Sequence, residues 1–420
     1  MRTTGKENEI KAKIIICYVS VTILLLSNCS KNNNDIYDDK YYPNIINLDI
    51  VRTMGEDNKY EGDFILVNPD VNRMVVDKSG NIILADELFI KVYDKFGKGL
   101  KILGGKGEGP GRYLETPRIF MSPMGYLTAL HEENDLLNRL TIYDSDFNLV
   151  NDLRLINRKI YQDLSDKYQF KMGKNVMYTN NICALNESEF IYDIAYYTKN
   201  NAWFLLIYDN GDSAHVIYHG KAPDVQKTSY AVSGNASLGM VAWDLLNNNK
   251  LFYITSEEDT FLNDDYGEFT LHIISLDTYE DKIIKHEFDP MLFPPDLIKH
   301  RLDGISVTSK GYQSLKLHYA ELEKMYSERK YWGFKGARTD GNYIFIYPRM
   351  KYAEIWAIKE TQNQTILAFD VETEKFLPPF TLNRLYRKIY NGYIYDDHDD
   401  ENGWPQIQVY KLDDELLGIK

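Results

Sequence analysis

The chain has 420 residues, 44% hydrophobic and 13% aromatic with 33 tyrosines, which is enough apolar material for a sizeable core and suits β-structure better than helix bundles. Its formal charge of −14 and pI near 5.1 argue against a phosphate-backbone partner, because nucleic-acid binding draws on clustered Lys and Arg. The length does not require two domains, since an all-β propeller of this size closes as one unit.

The amino end carries Arg2, Lys6, Lys11 and Lys13 against Glu7 and Glu9, and Ile14 to Leu26 is then continuously apolar or small. A charged n-region before an apolar h-region shorter than the roughly 20 residues of a membrane span is the anatomy of an export signal. Leu26-Ser27-Asn28-Cys29 resembles the lipobox of bacterial lipoproteins, although Asn28 stands where Gly, Ala or Ser is usual. The resemblance implies that residues 1–28 are a lipoprotein signal peptide and that Cys29 receives the lipid; an ordinary secretory signal and an uncleaved anchor are the alternatives.

Residues 29–42 begin Cys29-Ser30-Lys31-Asn32-Asn33-Asn34-Asp35, have no apolar pattern and read as a disordered tether. The run is similar to the Ser-Lys-acidic tag of some surface-exposed lipoproteins, with asparagines where acids stand in that tag, so periplasmic and surface orientations both remain. Beyond Cys17 and Cys29 the chain keeps only Cys183, which has no intrachain partner, so packing must hold the fold. Without residues 1–28 there are 44 basic against 60 acidic side chains, a charge of −16 that belongs to the folded part.

From residue 70 onward a meander grammar repeats. Asn81–Asp86 predicts a buried strand, Ile90–Asp94 a half-exposed strand, Lys95–Lys98 a turn and Leu100–Leu103 a third strand. Gly125–Leu130, Leu140–Asp144 and Asn148–Leu153 repeat the pattern, and Val92-Tyr93-Asp94 lies 50 residues from Ile142-Tyr143-Asp144, a spacing suited to propeller blades. Weaker echoes end at Asp209, Asp277 and Asp370, making five units between residues 70 and 380. "NIINLDIVRT" near the start and "QIQVYKL" near the finish supply strands for a sixth blade shared between the chain ends.

Between the first two units stands "ILGGKGEGPGRY", residues 102–113. It lacks the Gly-x4-Gly-Lys-Ser/Thr register of a P-loop, and no helix pattern follows it, so its glycines predict a compact crossing from one blade to the next rather than a phosphate cradle. The segment "NIILADELFIKVYDKFGKGLKILGGKGEGPGRYLETP" resembles the repeat of NHL-type and TolB-like six-bladed propellers. With the lipobox it is similar to a family of six-bladed β-propeller lipoproteins of Gram-negative bacteria marked by Gly-x-Gly-Pro-Gly-Glu-Tyr; here Arg112 replaces the glutamate. That resemblance spans about residues 70–155 and implies a fold and an envelope location, not a chemistry.

Candidate site residues follow from the crossing. Lys106, Glu108, Arg112, Tyr113 and Arg118 are placed to meet a carboxylate, sugar or partner loop if the crossing emerges beside the channel, and Lys106, Glu108 and Arg112 read equally as solvated turn residues. His131, Glu132 and Asp135 form the densest metal-capable cluster, but without the His-Glu-x-x-His register they read as a polar turn. Asp396-Asp397-His398-Asp399-Asp400-Glu401 lacks EF-hand spacing and reads as a solvated loop before Trp404. His215 and His219, four apart, fall on one side of a strand, and Cys183 reads as a small core hydrophobe. From Gly311 to Arg329, Leu315, Tyr319, Leu322 and Tyr326 follow helical spacing, predicting a helical insertion over about residues 290–332 between late blades.

The sequence thus predicts an all-β chain: a six-bladed β-propeller of four-stranded antiparallel blades over residues 43–420, with that insertion, on a lipid-anchored tether. The expected function is a binding or scaffold protein of the cell envelope, on the outer membrane and facing the periplasm or the surface, for a protein or glycan partner. No cofactor and no nucleic acid are implied. The competing reading is a metal-assisted hydrolase or lyase whose ligands, among them His131 and His272, converge on the channel.

Overall fold

Short apolar segments punctuated by aspartate turns fold here into antiparallel meanders. The recurring aspartates explain the grammar: Asp77, Asp94, Asp144 and Asp400 each use Oδ1 to accept two backbone N–H groups, two and four residues on, so one carboxylate closes each reversal. Left-handed residues complete all four of these turns, Gly80 at φ 83°, Gly97 at φ 87°, Phe147 at φ 60° and Gly403 at φ 80°.

In the computed structural model, the described residues are 45–46, 48–55, 64–133, 137–170, 176–178, 181–198, 201–222, 241–261, 267–288, 291–292, 330–331, 334–348, 364–382 and 388–412. The signal segment, the tether and the predicted helix of 311–329 lie outside them. The chain divides into two compact units: residues 44–290, 331–349 and 362–420 carry the propeller, and of the other only Met291–Leu292 and Lys330 are described, as strand.

Blade 1 is Met74–Val76, Ile82–Asp86, Phe89–Tyr93 and Gly99–Gly104, and blade 2 is Arg118–Met121, Leu127–Glu133, Leu137–Tyr143 and Leu149–Arg154. Blade 3 has a divided first strand, Val176–Tyr178 and Ile182–Ala184, followed by Phe190–Thr198, Asn201–Asp209 and Ala214–Ala222. Blade 4 is Val241–Leu246, Lys250–Thr255, Gly267–Ser275 and Asp281–Phe288. Blade 5 is Phe334–Asp340, Tyr343–Pro348 and Gln364–Asp370 with a broken fourth strand, Lys375–Phe376 and Phe380–Leu382, against which Ile45–Ile46 runs parallel. Blade 6 is Lys388–Tyr390, Tyr393–Asp399 and Pro405–Lys411, completed from the amino end by Ile50–Met54. The chain ends therefore share this blade, as predicted, and leave no open edge between last and first.

The core is partitioned in the same cyclic way. Six apolar clusters each lie between two consecutive blades, from Val75, Tyr113 and Leu127 between blades 1 and 2 round to Met54, Met74 and Val409 between blades 6 and 1. Polar clasps cross the same junctions. Arg73 Nη1 donates to the Thr116 carbonyl (3.1 Å), Ala184 N to Thr128 Oγ1 (2.9 Å) and Trp243 Nε1 to Asp193 Oδ2 (2.9 Å). Thr339 N donates to Asp244 Oδ2 (3.1 Å), Gly392 N to Asp340 Oδ2 (2.8 Å), and Asn391 Nδ2 to the Asp77 carbonyl (2.9 Å), which closes the ring.

One described α-helix was not expected. Lys159–Tyr168 follows blade 2 and buries Ile160, Tyr161 and Leu164 in the cluster between blades 2 and 3. Its N-cap is Arg158, which makes no side-chain cap, and it spans only 10 residues, so it lacks the start signal by which such a helix is read.

Candidate functional site

The first strand of every blade lies innermost, so residues far apart in sequence meet at the axis. Lys388 of blade 6 is within electrostatic reach of Arg338 on blade 5, Asp244 on blade 4 and Asp70, just ahead of blade 1. Tyr390, two residues along the same strand, senses Asp244, Arg338, Asp340 and Cys183 of blade 3. Tyr347 is buried in the apolar cluster between blades 5 and 6, and its hydroxyl has no hydrogen-bond partner among the described residues. Burial pushes both phenols above their ordinary range.

The carboxylates of this cluster hold the scaffold rather than its cations. Asp244 Oδ2 accepts from Thr339 N and, at 3.3 Å, Thr339 Oγ1, while its Oδ1 accepts from Leu245 N at 2.9 Å. Asp340 caps the Asn391 and Gly392 amides, and burial, partly offset by those two bonds, raises its carboxyl above the usual range. Asp70 accepts from Asn72 N at 2.9 Å. Arg338 donates to the neighbouring Ala337 carbonyl at 3.2 Å, and the Lys388 ammonium lies 5.7 Å from the Tyr390 ring centre. Neither cation forms an ion pair among the described residues. Burial, reinforced by Arg338 and opposed by Asp244 and Asp70, lowers the Lys388 amine to about 7.

The glycine crossing does different work. Its backbone takes φ 87° at Gly104, 115° at Gly105 and 66° at Gly111, and a Cβ on Gly104 would stand 2.4 Å from the Tyr113 ring. Tyr113 is fully buried, with its hydroxyl 2.9 Å from that of Tyr143, and Arg112 Nη1 donates to the Gly104 carbonyl at 2.7 Å. Gly111 N donates to Asp152 Oδ2, and Arg139 joins Asp152 Oδ1 (2.6 Å) to the Glu108 carbonyl (2.7 Å). The crossing is thus bonded to the outer strand of blade 2, not gathered with the axial cluster. The side chains of Lys106 and Glu108 are exposed, and Arg118 alone of the five candidates lies on an innermost strand, half-buried.

Three expectations need correction. His131 is not in a turn: Leu127 to Glu133 is one strand, and His131 is buried edge-on to Tyr113 at 5.1 Å. Glu132 lies on that strand, and Asp135 lies outside the described residues. His215 and His219 are on opposite faces, because the register slips between Leu206 and Ile207 and leaves Ile217 unpaired. His215 then stacks on Tyr279 at 4.0 Å and His219 meets Tyr168 and Trp203, each at 4.9 Å, while both residues line a solvent-open groove of about 620 Å³ near the blade 3 rim. Finally, Asp396–Asp399 belong to a strand rather than a loop, only Asp400 onward forming the turn before the exposed Trp404.

Cys183 is buried on the innermost strand of blade 3, as a small hydrophobe would be, and burial raises its thiol well above the ordinary range. His272 is held in blade 4 by Glu258 at Nε2 (2.6 Å) and Asp281 at Nδ1 (2.8 Å) and stacks on Tyr253 at 4.3 Å. Burial opposes its charge, but these two carboxylates outweigh it and hold the imidazole above its usual pKa. Asp259 beside them is pushed up to about 8, by burial first and by Glu258 second. Lys388, Arg338, Asp244, Tyr347 and Tyr390 were not anticipated from sequence. Lys388 in "RLYRKIYNGY" and Arg338 in "KGARTDGNY" carry no motif, and each reads locally as a solvated charge on a short strand.

No protein-family profile matches the chain, and no curated protein matches its sequence. Among solved structures it is similar to a protein described as exported from Bacteroides fragilis NCTC 9343, at 15% identity over 92% of this chain and 94% of that one, with a TM-score of 0.44. It is similar to a protein of unknown function from Bacteroides caccae, at 8% identity over 76% and 83% with a TM-score of 0.34. The β-propeller domain of the Trilobed protease from Pyrococcus furiosus matches at 9% identity over 80% and 79%, with a TM-score of 0.32.

Proposed function

We propose that this chain is a binding protein of the cell envelope, exported and anchored to the outer membrane through a lipid on Cys29, whose propeller recognises its partner at the axis. The observation that carries this reading is the pair Arg338 and Lys388, on the first strands of neighbouring blades 5 and 6, neither of which forms an ion pair with a carboxylate among the described residues. A scaffold that gathers such groups on rigid strands is built for recognition, since packing alone favours paired charges. The signal-like residues 1–28 and the lipobox-like Leu26-Ser27-Asn28-Cys29 support export and anchoring. The competing metal-assisted reading needs three convergent ligands, and no group of three His, Cys, Asp or Glu side chains meets that geometry among the described residues.

Fractionation of the tagged full-length chain tests this. The wild type is expected in the membrane fraction and the Cys29→Ala variant out of it, with a partner captured from native membranes by the wild type and lost with Arg338→Ala. A Cys29→Ala chain that stays fully membrane-bound overturns the anchor. Capture that Arg338→Ala leaves unchanged overturns the axis as the recognition surface.

A further inference from the structure

We propose that the groove between the helix Lys159–Tyr168 and the outermost strand of blade 3, Ala214–Ala222, is a binding site of its own, which holds a short neutral oligosaccharide against Tyr168 and His219. The site lies near the blade 3 rim and does not depend on the reading of the axis.

Ile160 and Leu164 from the helix and Ala214 and Val216 from the strand give the groove apolar walls. Its volume of about 620 Å³ falls within the roughly 300–1,000 Å³ of small-ligand clefts. Tyr168 and His219 both line it, and their rings stand 67° apart with centres 4.9 Å distant, so they form a corner. His219 is exposed and Tyr168 half-buried, which leaves ring surface for a ligand to reach. Groups behind hold the corner in place. The Tyr196 hydroxyl is 3.0 Å from His219 Nε2, the Trp203 ring centre is 4.9 Å from the imidazole, and Tyr168 packs on the apolar cluster between blades 2 and 3. A site fixed before its ligand arrives loses little ordering entropy on binding.

The lining selects the ligand. A sugar ring presents C–H faces to aromatic rings and hydroxyls to polar groups, and the groove offers both. The carboxylates of Asp163 and Asp212 are acceptors and the Lys167 ammonium, 5.1 Å from the Tyr168 ring centre, is a donor. All three side chains are exposed, and none forms an ion pair among the described residues. With Tyr196 on Nε2, the Nδ1 of His219 is the ring nitrogen left for a ligand, and a hydroxyl serves it in either tautomer because it both donates and accepts. Two carboxylates against one ammonium disfavour a further anion, which sets acidic sugars and phosphates aside. An extended peptide would need a regular strand edge to pair with. The register slip at Ile217, between the groove-lining Val216 and His219, interrupts that edge.

Titration calorimetry on the purified full-length protein tests the site, in a polyoxyethylene detergent that carries no sugar headgroup. The probes are maltotetraose, cellotetraose and laminaritetraose, with trigalacturonate and an uncharged pentapeptide as rivals. At least one tetrasaccharide is expected to bind saturably, with trigalacturonate about tenfold weaker or more and the peptide weaker still. Tyr168→Ala should weaken the bound sugar about tenfold. Ser213→Trp, an exposed position that fills the groove, should do so at least as strongly and keeps the test alive if Tyr168→Ala fails to fold. Phe96→Ala removes an aromatic ring exposed on a blade 1 turn and should leave the affinity unchanged. No saturable binding of any of the three sugars overturns the proposal, as does trigalacturonate or the peptide binding as tightly as the best of them. An affinity unchanged in Ser213→Trp or in a folded Tyr168→Ala, or equally weakened by Phe96→Ala, overturns it too. The titration touches neither Cys29 nor Arg338, so its failure leaves the fractionation and capture results standing, and theirs leaves this one.

Discussion

Lys91 and Lys388 are buried to nearly the same degree, 2% and 8% exposed, and both lie on strands of the same propeller. Lys91 donates to Asp86 and to the Ile65 carbonyl, while Asp86 also accepts the Val67 and Asn68 amides, so its charge is fully matched and clasps the segment ahead of blade 1. Among the described residues, Lys388 has only the Tyr390 ring at 5.7 Å. The difference shows that burial of a charge does not mark a site; burial without a partner does, because stability alone selects against it.

Three substitutions would break or sharpen this contrast. The largest effect is expected for Lys91→Met, which leaves Asp86 buried without its cation and should cost about 3–5 kcal/mol, read as a lowered denaturant midpoint. A loss under about 1 kcal/mol would mean that the amides of Val67 and Asn68 suffice and that the clasp is no model of a structural pair.

Lys388→Met should go the other way and stabilise the protein by about 2 kcal/mol near pH 7. The sign follows from linkage: the unfolded chain keeps this proton to about pH 10, whereas the folded chain releases it near 7, so wild-type stability rises across that window. The gain should therefore be greatest at or below pH 7 and vanish towards about pH 10, as thermal melts of the two proteins would show. A destabilised variant at pH 7 would place Lys388 with Lys91 as a residue that stabilises the fold.

The smallest effect is expected for His272→Gln, because Glu258 and Asp281 are 36% and 33% exposed and solvent screens their hold. The His272 pKa is raised on folding, so its contribution is fully present below about pH 6.5 and is lost as pH rises through the folded value. The variant should lose about 1 kcal/mol at about pH 5.5 and less at about pH 9 in urea melts. A loss independent of pH would assign His272 to packing on Tyr253 alone.

Much of the blade architecture could be read locally. Asp94 and Asp144 were visible as ends of Val92-Tyr93-Asp94 and Ile142-Tyr143-Asp144, because each carboxylate closes its turn with amides two and four residues away. The glycines of residues 104–111 were legible for a like reason, four of them having positive φ where a side chain would collide or strain. By contrast, the bulge at Ile217 that separates His215 from His219 depends on how Ala214–Ala222 pairs with Asn201–Asp209, and no spacing within one strand reports it.

The sequence by itself therefore determined the strand grammar, the turn chemistry, the crossing between blades 1 and 2 and the blade shared between the chain ends, since each rests on backbone preferences and patterns carried by contiguous residues. Only the tertiary structure decided that Asp244 and Arg338, from two other blades, act electrostatically on Lys388, and that the acid among them is committed to Thr339 and Leu245 rather than to either cation. The charge state of a buried amine is set by its desolvation and by the charges that other blades bring near it, and that information is spread over nearly 150 residues of chain.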